Sequence, residues 1–558
     1  MTERMRVALL LAVAMLVYGN TLFNGFTFDD DPYILHNPTV TNLSVSGLFH
    51  PTRASNVFRP VTFATFALNL AAGGAHPFGY HLVNLLLHAL VTLLLFLVLR
   101  KLLESVQQGA TIAWIAALLF AVHPIHTEAV ASIVGRFELL AVAFLLAAWL
   151  LHLRDLPVLS LLCFVLALMS KESAVALVPL ALAGDYACGK LKPLARYAWL
   201  AGVAAAYLAL LWKVQGGRFG PRIINFLDNP LVWLPRSLRI LNALRVAWKY
   251  VGLHLYPATL SCDYSYNAIL LYANWRYTAP AVLAALLVLV LWIWTLWTKR
   301  SEWFLAGTIY LTGFAATANL LVPAGTIMGE RLAYLPSAGF CLLAALLWLH
   351  LENYQRRLAW AVLAIVVVAL AARTVVRNQD WRDNFSLFSA GARAVPGSAK
   401  MHLALGGEYM NRGELQAALP ELQTALRIYP NYPEAMEFSG IVESQLGHDQ
   451  EARRFFEKGL SMTPRDNPGY DFRAVNLAAQ LMKLGENDAA LKLLNEEIAN
   501  SPGYSRAWSN RAVIRYRRGE LTSAREDAQN ALRLDPENGQ AQNLLNLLRA
   551  PATFAPLR

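Results

Sequence analysis

Eleven apolar runs fill the first two thirds of the chain, at Met5 to about Phe23 and near 80–99, 110–122, 138–151, 157–169, 173–188, 197–212, 277–297, 303–322, 334–350 and 358–372. In hydrocarbon every backbone N–H and C=O must find its partner inside the protein, so only helices or a closed barrel can span it. Runs this long and continuously apolar read as helices. Composition agrees. With 56% hydrophobic and 15% charged residues over 558 positions and a mean hydropathy of +0.39, the chain is too apolar for a soluble protein. Several runs fall short of the roughly 20 residues a straight span needs, so about 11 spans are expected.

The net charge of +11 belongs to this membrane half: 26 Lys and Arg stand against 15 Asp and Glu in residues 1–375, and 22 against 22 afterwards. That distribution points to membrane topology and to contact with lipid or phosphate anions. No dense basic tract interleaved with aromatics supports nucleic-acid binding. Basic residues at Arg4/Arg6, Arg100-Lys101, Arg154, Lys190/Lys192/Arg196, Lys299-Arg300 and Arg356-Arg357 fall on alternate connections. The positive-inside rule then puts the N-terminus in the cytoplasm and, with an odd number of spans, everything after Arg373 outside. The first run lacks a small-residue cleavage site and reads as a retained helix. Cys163, Cys188, Cys262 and Cys341 are scattered and form no disulfide framework or CxxC site.

The outer connections carry the unusual residues. Directly after the first run comes Phe28-Asp29-Asp30-Asp31-Pro32. A carboxylate cluster is costly in hydrocarbon, so it sits at the membrane boundary or in a polar cavity, either as a base or metal-ligand site or as a helix-capping turn. His123, His126 and Glu128 are metal ligands for Zn or Mn, or hydrogen-bonding groups at a helix start. Ser170-Lys171-Glu172 interrupts two apolar runs, as an internal ion pair or a phosphate-binding lysine. Glu330-Arg331 stands at the entrance of a later run, where Arg331 either clamps a phosphate or is neutralised by Glu330. Between Gln215 and Arg276, Arg218, Arg222, Arg236, Arg239, Arg245 and Lys249 face only Asp228 and Asp263. Leu234, Leu238, Leu241 and Leu244 predict an amphipathic helix on the membrane there. Those arginines do not share one face, so the sequence assigns them no pocket.

After Arg373 the composition turns polar and a 34-residue period appears. Gly413, Ala418 and Pro430 recur 34 residues on as Gly447, Ala452 and Pro464, after a shift of 38 as Gly485, Ala490 and Pro502, and after a further 34 as Gly519, Ala524 and Pro536. This is the tetratricopeptide (TPR) pattern of paired helices, with glycine at the turn and proline after the second helix. The expected layout is a membrane domain over 1–375, a linker over 376–398, and about four repeats with a capping helix over 399–550. The repeat groove is expected to bind an extended peptide or a partner protein.

Taken together, Phe28-Asp29-Asp30 with Ile34 and Asn37, His123 to Val130 with Gly135-Arg136 and Glu138, Ser170-Lys171-Glu172, Glu330-Arg331 through Ser337, and the trailing repeats resemble the transmembrane-and-TPR protein O-mannosyltransferase family. The likeness covers nearly the whole chain in one order. It implies an all-α polytopic bundle of the GT-C glycosyltransferase type followed by a TPR solenoid. It further implies an inverting transfer of a sugar, mannose in that family, from a polyprenyl-phosphate donor to Ser/Thr hydroxyls of a protein at the outer face of a membrane. On that reading Asp29 or Asp30 is the base. Arg136, Lys171 and Arg331 bind the donor phosphate, His123, His126 and Glu128 serve a metal or the substrate, and Glu172 and Glu330 are supporting carboxylates. GT-C enzymes differ in metal use, so a divalent ion, Mg or Mn, is the one cofactor entertained. Donor, acceptor protein and membrane lipids are the expected partners. Asp31 and the small number of repeats depart from the family pattern and put the choice of base and the acceptor in question.

Two other readings carry distinct consequences. A GT-C enzyme acting on a lipid or polysaccharide would change surface glycan and leave proteins unmodified. A non-catalytic TPR scaffold would not need Asp29 or Asp30. The Arg-rich, Ala/Leu-rich composition suggests a bacterial inner membrane.

Overall fold

The computed structural model describes residues 2–42, 45–49, 57–217, 224–320 and 322–549, among which the regular structure is helical and no strand occurs. Arg218 and Arg222 lie outside them. The chain forms two compact units, Met1–Ser398 and Ala399–Arg558.

In the first unit each of the eleven apolar runs contains a helix. Among the described residues six helices are long and apolar enough to cross a membrane: Glu3–Phe23, Pro77–Leu102, Arg136–Leu153, Leu194–Val214, Ala279–Trp297 and Arg356–Asp380. A seventh results if Gly109–Val122 and Pro124–Ala131, bent by 54°, count as one span. The remaining runs fold as shorter or less apolar helices, Pro157–Ser170, Leu177–Ala187, Ser301–Ala315 and Pro336–Tyr354. Proline opens several of them because its missing N–H costs nothing at the first helical position. Leu283, Leu287, Val290 and Trp297 on one span, and Ile365 and Val368 on another, are exposed. Apolar faces of this extent are what a bilayer covers.

The core lies where Pro77–Leu102, Gly109–Val122, Arg136–Leu153 and Pro336–Tyr354 meet, around Leu95, Phe96, Ile115, Trp149 and Leu342. Gly339 shows how close these helices come: a Cβ there would stand 2.5 Å from the Ala306 carbonyl oxygen, so only glycine admits the crossing with Ser301–Ala315. The first and last spans end side by side. Asn20 Nδ2 donates to the Val375 carbonyl (2.9 Å), Asn24 Nδ2 to that of Asn378 (3.1 Å), and Gly25 N to that of Arg382 (2.8 Å). Residues 376–398, expected as a linker, hold the end of the last span and the helix Asn384–Ala394. Asp383 caps that helix by accepting from Ser386 N (2.7 Å).

The second unit consists of four helix pairs, Ala399–Asn411 with Leu415–Ile428, Pro433–Gln445 with Asp449–Ser461, Tyr470–Lys483 with Asn487–Asn500, and Ser505–Arg517 with Leu521–Leu534, followed by Gly539–Arg549. Ala418, Ala452, Ala490 and Ala524, the periodic small residues, are fully buried between paired helices. Gly447 and Gly485 turn one helix into the next at φ +85° and +81°, a region that penalises residues with a Cβ.

Candidate functional site

Asp29, Asp30 and Asp31 are neighbours in the chain with three different environments. Asp30 is fully buried, and its two carboxylate oxygens accept from the backbone N–H of Thr27 and of Val134, each at 2.9 Å. It fastens the loop after the first span to the turn before Arg136–Leu153. Burial, assisted by the neighbouring Asp29 charge, pushes its carboxyl up to about 7 against the pull of those amides. Asp29 is the outer carboxylate and keeps 26% of its side chain exposed. Position after the apolar Phe28 would make Asp29 the deeper of the two. The structure reverses that order, since the chain turns at Phe28 (φ +50°) and sends Asp30 inward. Phe28 is held from the other side, where its N–H donates to Asn384 Oδ1 (2.8 Å) and its ring meets Phe388 edge-on. Asp31 faces outward and pairs with His36 at 3.0 Å.

Arg331 reaches this loop from the connection before Pro336–Tyr354. Its Nη1 lies 3.2 Å from Asp29 Oδ2 and 3.1 Å from Glu128 Oε1, and its backbone N–H donates to Glu128 Oε2 (2.8 Å). Glu128 is buried behind it. Glu330 does not neutralise Arg331, because successive residues of the short helical turn Glu330–Ala333 point apart. Its Oε1 instead accepts from Ser261 N and Tyr264 OH, each at 2.6 Å, and its Oε2 faces Arg377 Nη2 at 3.9 Å. Burial outweighs the Arg377 charge and pushes the Glu330 carboxyl up to about 7.

A second ionic group adjoins the first. Glu172 takes a bidentate contact from Arg59 (2.8 and 3.2 Å), and Lys171 pairs with Glu138 inside the bundle. Tyr33 lies between the groups, within electrostatic reach of Asp29, Arg59, Glu172 and Arg331. Lys171 and Glu172 therefore do not pair with one another, as adjacency had suggested. Arg136 stands apart from the open site. It is fully buried and donates to Asn84 Oδ1 (2.9 Å), Asn69 Oδ1 (2.6 Å) and the Tyr80 carbonyl (2.9 Å), with Phe66 under its guanidinium.

The histidines are buried among aromatic rings. His123 Nδ1 accepts from Ile125 N (3.2 Å), its Nε2 meets the His254 carbonyl (3.1 Å), and His126 Nε2 meets Ser337 Oγ (2.7 Å). Glu128 turns away from both toward Arg331. Among the described residues no group of three His, Cys, Asp or Glu side chains is placed to hold a metal ion, and the contacts of His123, His126 and Glu128 are those of hydrogen-bonding groups, the second of the two readings of these residues. Sequence reasoning passed over Arg59, Tyr33, Tyr264 and Asn384. Only Arg59, isolated between Phe58 and Pro60 in an outer connection, carried a signal that could have drawn attention.

The arrangement brings one partly exposed carboxylate against a guanidinium that is itself anchored from behind, an acid–base group beside an anion-binding group. The family model for the tetratricopeptide repeat matches residues 370–433, 403–467 and 476–539. Among curated proteins the chain is similar to protein O-mannosyl-transferase TMTC3 of Mus musculus, 28% identical over 594 residues covering 95% of this chain and 64% of that protein. It is also similar to protein O-mannosyl-transferase F38B6.6 of Caenorhabditis elegans, 29% identical over 76% of this chain and 63% of that one, and to Tmtc3 of Drosophila melanogaster, 28% identical over 91% and 65%. The chain spans just under two thirds of the length of these relatives. Among solved structures, MamA from Desulfovibrio magneticus RS-1 matches 27% of this chain and 82% of its own, with 27% identity and a TM-score of 0.24. The homologues of this chain are thus protein O-mannosyl-transferases, and the chain carries TPR repeats.

Proposed function

We propose that the protein is a membrane glycosyltransferase that moves mannose from a polyprenyl-phosphate donor to Ser/Thr hydroxyls of a protein at the outer face of a membrane. The observation that carries this reading is the Asp29–Arg331–Glu128 arrangement, in which a partly exposed carboxylate and an anchored guanidinium touch. The acceptor hydroxyl oxygen bonds to the anomeric carbon and its proton passes to Asp29. The bond from that carbon to the phosphate oxygen breaks, and the electron pair leaves with the polyprenyl phosphate. Attack opposite the departing phosphate inverts the anomeric centre. Arg331 exchanges its Asp29 contact for a phosphate oxygen, which frees the carboxylate to act as base and stabilises the charge that develops on the leaving group.

Asp30 holds the loop, and Lys171 and Arg59, paired with Glu138 and Glu172, exchange those partners for the phosphate as Arg331 exchanges Asp29. No step requires a metal from this ligand set. The N-terminus lies in the cytoplasm, the site and the repeats lie outside, in a bacterial inner membrane, and the repeat groove presents the acceptor. The test is transfer from purified polyprenyl-phosphate mannose to a Ser/Thr-rich peptide by the detergent-solubilised protein. Mannosylated peptide is the expected product. Labelled glycolipid or polysaccharide with an unmodified peptide overturns the protein acceptor, and no transfer to any acceptor overturns the enzymatic reading.

A further inference from the structure

The helix Arg236–Leu255 carries two cations that the Asp29 site does not use. Arg245 and Lys249 are one turn apart and so share a face, although the arginines of this region had shown no common face in the sequence. Arg245 lies 4.1 Å over the Tyr272 ring and donates to the Leu270 carbonyl (2.8 Å), while Lys249 stands 4.9 Å over Tyr264. Among the described residues no carboxylate forms an ion pair with either. Both border a cavity of ≈ 540 Å³, whose other walls are apolar: Trp248, Val251 and Leu255 from their own helix, and Tyr277, Pro280 and Ala281 from the start of the span Ala279–Trp297. It is an open groove, which covers an occupant from one side. Trp248, Leu255 and Tyr277 are exposed, as aromatic and apolar side chains are where a span meets the membrane surface.

The pocket is tied to the reacting groups. Tyr250, next to Lys249, donates its hydroxyl to the Gly329 carbonyl (2.8 Å) and accepts from Gly329 N (3.0 Å), two residues before Arg331. Glu330 lies within electrostatic reach of Lys249.

We propose that this groove is the docking subsite of the lipid-linked phosphate, where Arg245 and Lys249 hold its oxygens before Arg331 takes them over and Trp248, Val251, Leu255 and Tyr277 hold the first part of its chain. The inference rests on the polyprenyl-phosphate reading of the donor and deepens it. Paired cations at the head of an apolar groove complement an anion that carries a hydrocarbon tail. A free phosphate would leave the walls unfilled. The cavity is too small for a whole polyprenyl chain, so the remainder lies in the bilayer beside Ala279–Trp297.

The test is equilibrium binding of a fluorescent farnesyl phosphate to the full-length protein in zwitterionic nanodiscs. The wild type should bind. Arg245→Gln/Lys249→Gln should weaken binding by about tenfold or more, the loss of charge-assisted contacts, at an unchanged melting temperature. Arg245→Lys, which keeps the charge, should retain most of the affinity, and Asp29→Asn should bind normally. Inorganic phosphate and phosphatidylglycerol should not compete. Wild-type affinity in the folded double variant overturns the subsite and leaves the donor reading standing. Competition by phosphatidylglycerol overturns it by making the occupant an ordinary bilayer lipid. No binding by the wild type overturns the donor reading and the subsite with it.

Discussion

Asp29 and Arg331 are 302 residues apart in the chain, and their side chains meet at 3.2 Å. The contact joins the loop after the first span to the connection before Pro336–Tyr354, and its partial exposure leaves both groups open to exchange. Replacing Asp29 with Asn keeps the size and one acceptor oxygen but removes the proton acceptor. Turnover should fall by about 10²–10⁴-fold, the range a positioned base supplies, with little change in the melting temperature. Near-wild-type transfer by the Asp29→Asn protein would remove this carboxylate from the chemistry.

Asp30 should behave differently, and its signature is pH. Its carboxyl titrates near 7 in the folded protein, against 3.8 for an ordinary aspartate, because burial disfavours the ionised form. Between those values the unfolded chain releases a proton that the folded chain keeps, so stability falls as pH rises from about 4 to about 7. Glu330 adds a slope of the same sign over a similar range. Melting curves of the wild type and Asp30→Asn across this range isolate the Asp30 part. The variant should lose stability less steeply with rising pH, and parallel curves would show that Asp30 does not titrate there.

Much of this architecture is legible in the residues and some is not, for a physical reason. Apolar runs and the 34-residue period are local signals, and they become helices and helix pairs where they stand. Partner choice is not local. Arg331 follows Glu330, yet adjacent residues on a helical turn diverge, and each finds its partner in a distant segment, Asp29 with Glu128 and Tyr264 with Ser261. Arg136 resembles a phosphate ligand until Asn84, Asn69 and Tyr80 are seen to occupy its donors. Asn384 offered no signal, because its role depends on the left-handed turn at Phe28 that brings the Phe28 amide to it.

Glu128 holds Arg331 from behind, and on the proposed reading it positions that guanidinium without touching a reacting atom. In Glu128→Gln the side-chain amide nitrogen must face either the Arg331 N–H or its guanidinium, and one of the two contacts is lost. The expected result is a rise in KM for the donor of about tenfold, the worth of one charge-assisted hydrogen bond, with kcat changed much less because Asp29 is intact. A fall in kcat at constant KM would place Glu128 in the chemical step.

Topology gives the last prediction. The ends of Glu3–Phe23 and Arg356–Asp380 lie side by side through Asn20, Asn24 and Gly25, so the first and last spans leave the membrane on one side. Lys299 ends the span whose other end, at Tyr277, borders the cavity coupled to Arg331 through Tyr250 and Gly329. A cysteine at the exposed His36, in a background lacking Cys163, Cys188, Cys262 and Cys341, should react with an impermeant maleimide added to intact cells. A cysteine at Arg454, exposed in the second helix pair, should react as well, and one at Lys299 only after the cells are opened. Labelling of Lys299 but not His36 in intact cells would invert the protein in the membrane and place Asp29 in the cytoplasm. Labelling of His36 without Arg454 would keep the reacting groups outside and remove the repeats from acceptor presentation there.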